Sequence, residues 1–201
     1  SIQCSSLTSL NISIFNTQNV TYMTSMFSGC ASLKSLDLSN FNTQELTGMS
    51  NMFQGCYNLT EINLTSFNTE YITSFAYLFN QCYSLTSIDL TNFSINKVGF
   101  MEGMFEDCKS LNSIDLSHFN TENVTKMDYM FYGCNELKFV DISRFTLNQY
   151  ISKVSLFYVH DLPENGTLIV NNDFLEKISE QIPDNWTIIV KDFNIYNLLA
   201  K

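Results

Sequence analysis

Residues 49–69 read MSNMFQGCYNLTEINLTSFNT. Nearly the same phrase stands at 23–43 as MTSMFSGCASLKSLDLSNFNT, at 101–121 as MEGMFEDCKSLNSIDLSHFNT and at 127–146 as MDYMFYGCNELKFVDISRFT. The cysteines Cys4, Cys30, Cys56, Cys82, Cys108 and Cys134 are each 26 residues apart. Two phenylalanine rows keep the same interval, Phe27, Phe53, Phe79, Phe105, Phe131, Phe157 and Phe15, Phe41, Phe67, Phe93, Phe119, Phe145. So does the leucine row Leu7, Leu33, Leu59, Leu85, Leu111, Leu137. A period of this length with an apolar signature marks units that bury their apolar faces only by stacking on one another.

Inside one unit, Leu36 and Leu38 flank Asp37 with strand period, so Ser35, Asp37 and Ser39 face away from the core. A polar turn at 42–45 follows, and then Leu46, Met49, Phe53 and Cys56 recur at intervals of three, four and three. That spacing predicts a short helix ended near Gly55. Each unit therefore reads as strand, turn, helix, turn, and the fold class expected is α/β. It is a leucine-rich-repeat solenoid with a parallel sheet on one, concave, face and short helices on the other. The repeat fails after Phe157, where His160 and Pro163 replace the expected Cys and Leu. Residues 1–157 are read as the array and 158–201 as a C-terminal cap. The cap has a strand at 168–170, a helix capped by Asn172 or Asp173 and running through Glu180, and a last strand at 186–190. No comparable cap precedes Cys4, which points to further units upstream.

Acidic residues outnumber basic ones 20 to 10, for a formal net charge of -10, and no basic stripe is present. Nucleic acid is therefore excluded as a partner. No run reaches the roughly 18 apolar residues of a membrane span, and the opening SIQCSSLTSL lacks the basic and apolar regions of a signal peptide.

Cys30, Cys56, Cys82, Cys108 and Cys134, with Phe53, Phe105 and Phe131, are assigned to the repeat core, as are Met26, Met52, Met104 and Met130. Three readings of the cysteine row compete. A reduced row packed as small apolar side chains is the plainest. Disulfides between neighbouring units fit the spacing but could join the row only in pairs. A metal site would need four converging ligands, which a line does not supply. No metal and no cofactor are expected.

The outward strand rows are Ser9, Ser35, Glu61, Ser87, Ser113, Phe139; Asn11, Asp37, Asn63, Asp89, Asp115, Asp141; and Ser13, Ser39, Thr65, Thr91, Ser117, Ser143. Asn40, Asn92, His118 and Arg144 flank them, and Tyr57 and Tyr83 follow the cysteines. The candidate ligand-binding face is Asp37, Asp89, Asp115, Asp141, Glu61, Asn63, Phe139, His118 and Arg144. Stacked carboxylates at Asp89, Asp115 and Asp141 should repel, which raises their pKa values or invites a cation such as calcium. The plain alternative is a solvated row satisfied by neighbouring Ser and Thr. Catalysis finds no support: Ser, Asp and His recur by repeat arithmetic rather than as a positioned triad, and seven glycines build no phosphate loop.

The elements at 27–30, Leu33, Leu36-Asp37-Leu38-Ser39, Phe41-Asn42-Thr43, Leu46 and Met49 resemble the repeat of the BspA-like leucine-rich surface proteins, including the repeat lipoproteins of mycoplasmas. The resemblance spans Cys4 to Phe157. It implies a protein at the cell surface or secreted, anchored through a segment outside this stretch. It further implies non-catalytic adhesion to a host extracellular or cell-surface protein. Two other readings stay open: a structural or antigenic coat spacer without its own ligand, and self-association through the uncapped N-terminal coil.

Overall fold

The computed structural model describes residues 4–151 and 154–191. Residues 1–3 and 152–153 of the expected array and 192–201 of the expected cap lie outside the described residues. The fold is mixed α/β, with short parallel strands and few short helices. β1 (Ser35–Asp37) pairs with β2 (Glu61–Asn63), Ser35 opposite Glu61 and Asp37 opposite Asn63. A second sheet runs in the order β3 (Ser113–Asp115), β4 (Phe139–Asp141), β5 (Thr167–Val170), β6 (Thr187–Val190). The equivalent stretch 87–89 is not a strand. The register is the sequence period made physical: Ile114 lies beside Val140, and Leu36 beside Ile62.

The helices expected within the repeats are absent from the described residues, and the reason is in the hydrogen bonds. At 23–30 every second amide leaves its own unit: Met23 N donates to Gly48 O, Ser25 N to Ser50 O, Phe27 N to Met52 O and Gly29 N to Gln54 O, at 2.7–3.0 Å. The amides between them close local turns, Met26 N to Met23 O and Cys30 N to Phe27 O, both at 3.1 Å. The same alternation recurs in the next units, as in Phe53 N to Leu78 O and Phe79 N to Met104 O. Two left-handed residues per unit keep this path from coiling into a helix. They are Ser25, Asn51, Tyr77, Gly103 and Tyr129 in one row, and Gly29, Gly55, Gln81, Asp107 and Gly133 in the other. A right-handed helix tolerates neither. A chain of tight turns returns the same side to the core every three or four residues, so its apolar spacing imitates that of a helix.

The core is a continuous file of side chains. The rings of Phe27, Phe53, Phe79, Phe105, Phe131 and Phe157 stack with centroids 5.1–5.9 Å apart and planes within 17° of parallel. Leu33, Leu59, Leu85, Leu111 and Leu137 lie buried beside them, with Met52, Met104 and Met130, while Met26 is only partly covered. Stacked rings bury large area with little rotamer loss, so this file contributes more than its count suggests.

At the C-terminal end, α1 (Asn172–Ile178) packs Phe174 and Ile178 inward. Its N-cap is Asn171, whose side chain accepts from Phe174 N at 2.9 Å, one residue before the expected cap. The helix stops at Ile178 and gives way to a 3-10 turn, Ser179–Gln181, short of the expected Glu180. Trp186 closes the segment, its Nε1 donating to Pro163 O at 2.8 Å.

Candidate functional site

The strands gather the candidate residues into two groups. β1 and β2 bring Asp37, Glu61 and Asn63 together, all exposed. β3 and β4 place Asp115 beside Asp141 and Ser113 beside Phe139. Asp89, Asp115 and Arg144 are exposed, Phe139 is 36% exposed and His118 is half-buried. Asp141 departs from the row. It is buried, and its Oδ2 accepts from Lys191 Nζ at 2.9 Å.

Each carboxylate of the row has a local task. Oδ1 of Asp37, Asp89, Asp115 and Asp141 accepts the amide two residues on, from Ser39, Thr91, Ser117 and Ser143, at 2.9–3.0 Å. Asn11 and Asn63 do the same for Ser13 and Thr65, and their Oδ1 also takes the hydroxyl, at 2.8 and 2.7 Å. These are Asx turns, which close the strand before the chain rounds the corner. For Asp89 and Asp115 they overturn the expected rise in pKa. The Ser39 side chain and amide hold the Asp37 carboxyl below its ordinary value. The Thr91 amide and hydroxyl do so for Asp89, and the Ser117 side chain for Asp115. His118 lowers both Asp89 and Asp115 further, and Lys191 adds to the effect on Asp115. Hydrogen bonds to the charged form outweigh repulsion along the row.

The flanking row is also engaged. Asn40 Nδ2 reaches the carbonyls of Ile12, Ser13 and Phe15, and Asn92 Nδ2 those of Leu64, Thr65 and Phe67. His118 Nε2 lies 2.9 Å from Leu90 O, so the ring fixes one unit to the previous one. A further stacking residue escaped the sequence reading. Thr17, Thr43, Thr69 and Thr121 are buried, and their hydroxyls bridge to the next unit. Thr17 Oγ1 donates to Asn42 O and accepts from Asn42 N, at 2.9 and 2.7 Å, and Thr69 does likewise with Ser94. The signal was present in the repeated Phe-Asn-Thr, where a hydroxyl keeps returning to a position next to a core ring.

The six cysteines are buried free thiols. Sγ of Cys56, Cys82, Cys108 and Cys134 donates to the carbonyl of Phe27, Phe53, Phe79 and Phe105, each at 3.2 Å. Burial pushes the Cys30 and Cys56 thiols up to about 12 and the next three upward as well. They pack and donate, and none is poised as a nucleophile. On the turn side, Tyr57 stacks on Tyr83 at 4.8 Å, and Lys109 Nζ sits 4.5 Å from the Tyr83 centroid. Tyr132 stacks on Tyr158 at 5.2 Å, with Tyr129 edge-on to Tyr132. All but Tyr83 are exposed, a second aromatic surface of which the sequence reading had named only Tyr57 and Tyr83.

The arrangement offers a row of ordered acceptors. Among the described residues, no group of three or more His, Cys, Asp or Glu is placed to hold a metal ion. No helix among them is long and apolar enough to cross a membrane. No curated protein and no solved structure matches the chain. Two overlapping stretches, residues 2–85 and 57–164, match the family described as Mycoplasma protein of unknown function, DUF285, and with most of its length so covered the chain belongs to that family.

Proposed function

We propose that the chain is a leucine-rich-repeat solenoid of the BspA-like kind, an array over 1–157 closed by a cap over 158–201, that acts as a non-catalytic binding module at the cell surface. Its partner is a host extracellular or cell-surface protein. The observation that carries the reading is the carboxylate row. Asp37, Asp89 and Asp115 each commit Oδ1 to a turn, which fixes the side chain and keeps it ionised, while the carboxylate itself stays exposed. A file of fixed, exposed negative charges is complementary to a basic protein surface and loses little side-chain entropy on binding. Glu61 and Phe139, in the neighbouring row, supply a further charge and an apolar anchor.

The test is binding to fibronectin, fibrinogen, collagen, laminin and mucin, beside the variant D37N/D89N/D115N. Asparagine already closes the turn at Asn11 and Asn63, so the variant keeps the fold and loses only charge. Saturable binding that the variant loses supports the strand face as the site. Equal binding by both proteins, or none by either, refutes it.

A further inference from the structure

Asn40 Nδ2 lies 3.1, 3.2 and 3.4 Å from the carbonyl oxygens of Ile12, Ser13 and Phe15. Asn92 Nδ2 lies 3.2, 3.1 and 3.0 Å from those of Leu64, Thr65 and Phe67. In both units three main-chain oxygens converge on one point, and a nitrogen donor fills it. Nitrogen side chains fill the equivalent place elsewhere: His118 takes Leu90 O, and Asn171 Nδ2 takes Ser143 O and Phe145 O at 3.0 and 2.7 Å.

The unit between Asn40 and Asn92 breaks the pattern, because it carries Ser66. Serine is too short to reach, and its hydroxyl makes none of these bonds. The corresponding oxygens belong to Leu38, Ser39 and Phe41. Leu38 O accepts only the turn bond from Phe41 N at 2.9 Å, while Ser39 O and Phe41 O accept no hydrogen bond from the described residues. Beside these oxygens the surface opens into a depression of about 330 Å³, lined by Asn40, Phe41, Asn42, Thr43, Gln44, Ser66 and Asn68, so that Phe41 and Ser66 belong to it while Leu38 and Ser39 lie outside its lining. The backbone that shapes the acceptors is fixed by its neighbours, with Thr43 Oγ1 accepting Asn68 N at 2.7 Å.

We infer that the Ser39 and Phe41 oxygens beside Ser66, at the edge of this depression, bind a primary ammonium group, presented by a lysine side chain of a partner protein or by a small free amine. At Asn40 and Asn92 three such oxygens converge on one nitrogen, and a set of three acceptors matches the three N–H donors of an ammonium. None of the lining residues carries a positive charge, and the chain is acidic at -10. The same geometry rejects a carboxylate or phosphate, which would face carbonyl oxygens. The inference concerns a site at the end of the strand face and stands whether or not the carboxylate row binds anything.

The test follows amide ¹H–¹⁵N shifts of the full chain on titration with Nα-acetyl-lysine N-methylamide, with ethylammonium and with tetramethylammonium, which has no N–H donor. Saturable shifts at residues 39–42 and 66 are expected with the first two, and binding about tenfold weaker or worse with the third. Ser66→Asn supplies the missing amide from within and should weaken the first two by about tenfold or more. Asn at the equivalent positions 40 and 92 shows that the fold accepts the change, and an undiminished melting temperature checks it. Asn92→Ser should open a second socket and add saturable shifts at 65–68. A lysine derivative that binds more tightly than ethylammonium assigns the protein source, and equal binding the free amine. Shifts that do not saturate, that survive in Ser66→Asn, or that tetramethylammonium reproduces overturn the inference.

Discussion

Replacing Thr121 by valine removes one oxygen and keeps the side-chain shape. Thr121 is fully buried, and its Oγ1 both donates to Thr146 O at 2.6 Å and accepts from Thr146 N at 2.8 Å. Two neutral hydrogen bonds are lost, each with a net value of about 1 kcal/mol, and the Thr146 peptide faces a methyl group instead of a hydroxyl. Because Thr146 is itself exposed, water can recover part of the loss, which sets the expected cost at about 1–2 kcal/mol rather than more. For a chain of this size that lowers the melting temperature by about 2–8 °C. Denaturant titration should show the same loss as a shifted midpoint at constant slope. Hydrogen exchange reads it locally, since the Thr146 amide should exchange about tenfold faster per 1.4 kcal/mol while amides near Phe53 do not change. Thr121→Ser keeps the hydroxyl and should hold the Thr146 amide protected. The structure contains its own control, because Ile95 occupies this position one unit earlier, buried and without a hydroxyl. Valine at 121 that leaves both the midpoint and the Thr146 exchange rate unchanged would refute the view that these hydroxyls tie the units together.

In acid, the depressed carboxyls of Asp37, Asp89 and Asp115 contribute stability that is fully present above their unfolded values, near 3.9, and is lost as the pH falls through the folded ones. D37N/D89N/D115N should therefore show a flatter stability curve below about pH 4, and an identical curve would sink the assignment. Cys56, Cys82, Cys108 and Cys134 should resist a thiol reagent at pH 8 in the folded protein and react on unfolding. Rapid labelling of the native state would contradict their burial. Lys191→Met strips the buried Asp141 of its cation and should cost about 1–3 kcal/mol in urea unfolding. Adding Asp141→Asn, which keeps the acceptor for Ser143 N, should restore most of it, and no rescue would place the loss elsewhere.

The strand register could be read from the sequence because the same residues must meet across every interface. Leu36 can lie beside Ile62 only if the period is 26, and the pairing has that offset. The turn side was misread because periodicity reports which residues are buried rather than how the backbone gets there. Met49, Phe53 and Cys56 are buried as a helix would bury them, yet Phe53 N and Gly55 N bond to the next unit. The left-handed residues that decide the matter include Ser25, Asn51 and Tyr77, which no propensity would have marked. Asp141 was misplaced for a different reason. Its cation, Lys191, is 50 residues away and outside the repeat, where no periodic argument reaches.

The candidate face illustrates how a repeat divides its labour. A residue type that returns in every unit is explained first by what every unit must do. Asp37, Asn63, Asp89 and Asp115 close the same turn, so their recurrence says nothing about a ligand, and only the exposed charge of the three aspartates is left for one. Positions that change from unit to unit are released from that duty. The row Ser35, Glu61, Ser113, Phe139 varies in charge, size and polarity while its backbone pairing stays fixed. Ser66 varies inside a row where Asn40, Asn92 and His118 do have a duty, and there the omission leaves the Ser39 and Phe41 oxygens without a donor among the described residues. Partner choice is therefore expected to follow Glu61, Phe139 and Ser66, with the aspartates supplying a common negative field. Exchanging Glu61 for lysine should redirect binding while leaving the Asp37 to Ser39 turn intact, because that turn draws on no atom of residue 61. A change of partner with Asp37→Asn but not with Glu61→Lys would reverse this assignment of roles.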